Sequence, residues 1–149
     1  ARTSPLKRPR ATVAAILAAQ PKTCALEAVL FLREIDYGPD ENRPEDEVVA
    51  RIGAEALAAW ERDGVAPPGW RVDVDALIGN WQQLFAKLAG QDGDHLVVTS
   101  NGIARFALKA VGAAGEDLKL KTGAYGVVEL DGEAGRVARW NVRPEASGA

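Results

Sequence analysis

Three short stretches of this chain bring together residue types that handle anions and protons. The first is Ser4-Pro5-Leu6-Lys7-Arg8. It reads as a helix start, with Ser4 as N-cap and Pro5 at the first helical position. Arg8 can present two parallel N–H donors to a phosphate, and the unpaired amides of a first helical turn add theirs. Taken alone, the same stretch is a solvated basic patch of Lys7, Arg8 and Arg10. The second stretch is Leu32-Arg33-Glu34-Ile35-Asp36-Tyr37-Gly38. Two acids and an arginine beside an apolar run can include a general acid whose pKa burial raises, or simply a surface ion pair. The third is Thr99-Ser100-Asn101-Gly102, between the apolar run Leu96-Val97-Val98 and a helical pattern beginning at Ile103. A buried strand feeding a polar turn and then a helix suits a phosphate or carboxylate, because the helix dipole favours negative charge there. It is also an ordinary capped turn.

Behind these stretches lie the elements that must position them. Val13, Ile16 and Leu17 continue the first helix to about Ala19. Pro9 costs a hydrogen bond if it falls in the second turn, which moves the regular helix to Pro9 and leaves Arg8 before it. Residues 27–35 read as a strand or extended segment. A polar loop over 37–44 precedes a helix opened by Pro44-Glu45-Asp46-Glu47, on which Val48, Ile52, Ala56, Leu57 and Trp60 share one face. Asp73 or Asp75 starts another helix, with Leu77, Ile78, Trp81, Leu84, Phe85 and Leu88 at i, i+3, i+4 spacing and Gly90 ending it. Residues 125–130 and 136–142 flank Asp131-Gly132 as a hairpin. Helices alternating with apolar strands indicate an α/β layered sandwich: a mostly parallel central sheet, helices on both faces and a C-terminal β-hairpin.

The 149 residues suffice for one domain with a core. A net charge of −3 argues against general nucleic-acid binding. The single cysteine, Cys24, excludes an internal disulfide and a cysteine-rich zinc site, and fits a reducing, cytoplasmic setting. No apolar run reaches the roughly 18 residues that span a bilayer, so no membrane partner is expected. There is no methionine, even at position 1, which reads as a processed product or a fragment. Trp60, Trp70, Trp81 and Trp140 are core or interface residues, which leaves a homodimer open; helical spacing favours the core for Trp60 and Trp81.

Taken together and in this order, the three stretches resemble the histidine phosphatase superfamily, the phosphoglycerate-mutase-like phosphatases. Ser-Pro-Leu-Lys-Arg followed by Thr12 is similar to its second-arginine motif, and Leu-Arg-Glu-Ile-Asp-Tyr-Gly to the segment carrying its proton donor. Val-Val-Thr-Ser-Asn-Gly-Ile-Ala-Arg is similar to the turn usually written Ser-His-Gly, and Lys121-Thr122-Gly123-Ala124-Tyr125 to the family's end. The resemblance spans residues 4–142. It implies a single, incomplete phosphoglycerate-mutase-like domain over 1–149 with a frayed tail at 144–149. It implies a phosphomonoesterase working through a phosphohistidine on a phosphorylated small molecule, without cofactor or metal. Arg8 becomes a phosphate clamp, Glu34 the general acid, Asn101 the occupant of the second histidine's place, and the Gly102 amide a further phosphate contact. The family's opening Arg-His-Gly segment has no counterpart, so the nucleophile is expected outside these residues. The only histidine, His95, lies at least five residues, roughly 16–20 Å of extended backbone, from the turn. The uncharged Asn101 opens the alternative of an impaired pseudophosphatase or phosphate-binding module. Specificity is expected from residues 37–69, whose acids Asp40, Glu41, Glu45, Asp46 and Glu47 repel a strongly anionic partner.

Overall fold

The computed structural model describes residues 1–20, 24–33, 35–113, 118–132 and 134–144. Strand β1 (Arg2–Thr3) leads to helix α1 (Lys7–Ala18), strand β2 (Glu27–Ala28) and a 3-10 turn over Leu30–Leu32. A second 3-10 turn (Gly38–Asp40) precedes α2 (Glu45–Ile52), α3 (Ala54–Asp63) and α4 (Val74–Ala89). Strand β3 (Val97–Val98), α5 (Asn101–Ala110) and the strands β4 (Tyr125–Asp131) and β5 (Ala134–Val142) complete the order.

Strands β2, β1 and β3 form a parallel sheet with β1 in the middle, Arg2 facing both Glu27 and Val97. The expected α/β fold with a parallel sheet and an antiparallel C-terminal hairpin is present, β4 pairing with β5. Parallel strands end on the same edge, so Ser4, Val29 and Thr99 leave the sheet together. The Val29 amide donates to the Thr3 carbonyl at 2.8 Å, and the Ser4 amide to the Val98 carbonyl at 3.1 Å.

Helix α5 carries the core. Residues 102–108 are buried on every side of it, as expected for a helix enclosed by its neighbours. Ile103, Phe106 and Ala107 pack with Trp81, Leu84 and Leu88 of α4, with Trp60 of α3, and with Leu32 and Ile35. The Trp81 indole N–H donates to the Ile103 carbonyl at 3.0 Å, which satisfies its polar edge inside the core.

Four element readings change. Helix α1 starts at Lys7 with Leu6 as N-cap, not at Pro5 or Pro9. Pro9 then lies in the first turn, where a missing N–H costs nothing, and Arg8 is inside the helix. Ser4 Oγ instead accepts the Leu6 amide at 3.2 Å and shapes the turn before the helix. The run from Val29 to Leu32 leaves the strand after Ala28; at three residues per turn positions two apart no longer share a face, so Leu32 is fully buried while Leu30 is 73% exposed. The stripe from Val48 to Trp60 is split at Gly53, whose φ of 87° and ψ of 149° no helix contains. Helix α5 begins at Asn101, two residues before Ile103.

Candidate active site

The carboxyl edge of the parallel sheet opens onto a cleft of about 790 Å³. Leu6 and Arg8 of α1 line one part, and Leu30, Phe31, Arg33, Ile35 and Asp36 another. Glu41, Arg71, Asp73 and the α4 residues Ala76, Leu77 and Asn80 face them, and Ile103 contributes from α5. Three arginines and three carboxylates thus share one apolar-floored cleft.

Two helices begin at this edge without side-chain caps. Leu6 precedes α1 and Ser100 precedes α5, and neither side chain accepts an amide. Ser100 Oγ is buried without a hydrogen-bond partner among the described residues. Amides at an uncapped N-terminus are donors in search of an acceptor, and the dipole adds positive potential.

The candidate residues fall as follows. Arg8 is exposed in the first turn of α1 and lines the cleft. Gly102 is buried in the first turn of α5, one residue before Ile103. Asn101 is exposed at the first position of that helix and does not line the cleft; its Oδ1 accepts the Leu120 amide at 3.1 Å, which ties the chain after α5 to the start of that helix. Glu34 lies outside the described residues; of its near neighbours, Leu32 is fully buried and Ile35 is 6% exposed. His95 precedes β3 at the amino end of the sheet, with Nε2 at 3.5 Å from the Gln91 carbonyl, on the opposite edge from the cleft.

Several contacts that shape this site join residues far apart in sequence. Thr99 Oγ1 donates to the Leu32 carbonyl at 2.7 Å and couples the turn before α5 to the segment carrying Arg33. Asp40, 7% exposed, accepts two hydrogen bonds from the Arg51 guanidinium and one from the Trp70 indole at 2.8 Å. The Arg51 pairing holds the Asp40 carboxyl down at about 2, against the desolvation that raises it. Arg51 also donates to the Pro68 carbonyl at 2.7 Å. Tyr37 and Trp60 meet Trp70 edge-on, with ring centroids 4.8 and 5.2 Å away. Arg105, 2% exposed, stacks over Trp60 at 4.7 Å and donates to its carbonyl at 2.9 Å. These contacts tie Tyr37, Asp40, Arg51, Trp60 and Trp70 together in the segment whose Asp36, Glu41 and Arg71 line the cleft. Arg51 and Trp70 carried no local signal, since the three partners of the node belong to three different segments.

No group of three or more metal-ligating side chains gathers among the described residues. No helix among them is long and apolar enough to cross a membrane.

Comparison with curated proteins gives no match. The structure of a mycobacterial glucosyl-3-phosphoglycerate phosphatase is similar, with a TM-score of 0.75 at 18% identity over 96% of this chain and 77% of that one. The alpha-ribazole phosphatase from Shigella flexneri gives a TM-score of 0.64 at 15% identity over 99% of this chain and 75% of that one. At such identities the likeness is one of fold. The sequence itself goes further: the family model of the histidine phosphatase superfamily (branch 1) matches residues 1–143, and the chain belongs to that superfamily.

Proposed function

We propose that this chain is the phosphate-binding and proton-donating part of a phosphomonoesterase that works through a phosphohistidine. What carries the reading is the convergence, over one cleft, of Arg8, the segment around Glu34 and the start of α5, all at the carboxyl ends of parallel strands. Arg8 takes two oxygens of the phosphoryl group, and the Gly102 amide a third. Glu34 protonates the departing ester oxygen as the P–O bond breaks and the histidine nitrogen bonds to phosphorus. It then accepts a proton from the water that attacks phosphorus, which releases phosphate and free histidine. This reading takes the nucleophilic histidine from outside these 149 residues, and the position of His95 at the amino end of β3 supports it. A phosphorylated small molecule in a reducing cytoplasm is the proposed substrate and setting.

The test is hydrolysis of a chromogenic aryl phosphate by a version of the protein extended upstream of Ala1. Turnover is expected, falling about 10²–10³-fold in Arg8→Ala. A folded, extended protein that hydrolyses nothing ends the enzymatic reading.

One observation favours a second reading, a module that binds phosphorylated ligands without turnover. The Asn101 side-chain oxygen Oδ1 accepts the Leu120 amide, and an amide side chain carries no charge to stabilise phosphoryl transfer. Phosphate binding without hydrolysis, together with activity gained in Asn101→His, supports that version.

A further inference from the structure

Arg33 immediately follows the Leu30–Leu32 turn and lines the same cleft as Arg8. Its backbone is held by its neighbours. Its own amide donates to the Leu30 carbonyl at 3.2 Å, the preceding Leu32 carbonyl is taken by Thr99 Oγ1, and Ile35 is buried beyond it. A fixed backbone here spares the segment the cost of ordering on binding.

The other charged groups of the cleft are already engaged. Arg71 donates its amide to the Asp36 carbonyl at 2.9 Å and pairs its guanidinium with the Asp36 carboxylate at 3.5 Å. Asp36 also accepts the Gly38 amide at 2.9 Å, Glu41 the Tyr37 amide at 3.2 Å, and Asp73 the Ala76 amide at 3.0 Å. Arg8 and Arg33 are the two cleft cations without a carboxylate partner among the described residues.

We infer that Arg33 is a second anion-binding residue, holding with Arg8 one dianionic phosphoryl group between the start of α1 and the end of the 3-10 turn. This deepens the phosphatase reading and rests on it. Two guanidinium groups without a carboxylate partner among the described residues thus share one cleft. A dianion bound between them supplies acceptor oxygens and charge to both planar forks. A neutral or singly charged ligand satisfies at most one of them.

The experiment is calorimetric titration of the protein with inorganic phosphate, alongside Arg33→Ala, Arg33→Lys and Arg8→Ala. Arg33→Ala is expected to weaken phosphate about tenfold or more, the size of one lost charge-assisted bond. Arg33→Lys, which keeps the charge but not the fork, falls between Arg33→Ala and the parent. Thermal unfolding of Arg33→Ala within about 2 °C of the parent separates a lost ligand contact from a lost fold. Phosphate bound by Arg33→Ala within twofold of the parent, but lost by Arg8→Ala, overturns this inference and leaves the phosphatase reading standing. A parent protein that binds no phosphate removes that reading and this inference with it.

Discussion

Replacing Thr99 by Val removes one hydrogen bond and almost no volume, at the point where two parts of the site are joined. Thr99 Oγ1 donates to the Leu32 carbonyl at 2.7 Å, across 67 positions of sequence. Leu32 is fully buried, so its carbonyl has no water to turn to. A buried acceptor left unsatisfied costs about 1–3 kcal/mol. For a chain of this length that lowers the melting temperature by roughly 2–12 °C. The loss falls on the Leu30–Leu32 turn and hence on Arg33, so phosphate affinity is expected to drop along with stability. Thr99→Ser keeps the hydroxyl and gives up one methyl, and is expected to stay within about 1 kcal/mol of the parent. Thermal unfolding followed by circular dichroism, with phosphate titration of each protein, gives both readouts. A Thr99→Val protein as stable as the parent refutes the coupling. So does a Thr99→Ser protein as damaged as Thr99→Val, because the methyl rather than the hydrogen bond would then be what matters.

Phe106→Ala deletes a fully buried ring beside Trp60 and is expected to cost about 3–5 kcal/mol in denaturant unfolding. Gly38→Ala drives a Cβ into the Gly69 carbonyl oxygen at a φ of 57°, whereas Gly79→Ala meets open space inside α4. The first is expected to destabilise by more than about 1–3 kcal/mol, since strain and clash add, and the second to stabilise by roughly 0.5–1 kcal/mol; urea unfolding of the pair checks both. The Asp40 carboxyl, held at about 2 rather than 3.8 by Arg51, stabilises the fold fully above about pH 4. That contribution fades as the pH falls from 3.8 toward 2, and acid unfolding of Asp40→Asn is expected to lack this component of the pH dependence.

What could be read from sequence was local, and the reasons differ from residue to residue. Helix α4 was legible because its apolar positions repeat over sixteen residues and Asp73 caps it, with Oδ1 accepting the Ala76 amide. The hairpin was legible because Asp131-Gly132 supplies a turn with positive φ, 58° at Gly132. The run Val29–Leu30–Phe31–Leu32 was not, since four apolar residues fit a strand and a 3-10 turn equally well. The stripe on α2 and α3 was read correctly as a face, Val48 and Trp60 both being buried, yet the break at Gly53 was missed because one glycine does not oblige a helix to stop. The site divides along the same line. Arg8, which lines the cleft, could be singled out because basic residues beside a helix start are a local pattern. Arg33 stood inside a recognised segment, but that no carboxylate among the described residues pairs with it becomes visible only when Asp36 is seen to take Arg71 and the other cleft carboxylates to take backbone amides. The bond from Thr99 to Leu32 depends on β1 lying between β2 and β3, a fact of topology that no spacing encodes. Parallel pairing is therefore the step that brings three separate stretches to one edge of the sheet: reversing any one strand would send its loop to the opposite edge, where His95 sits.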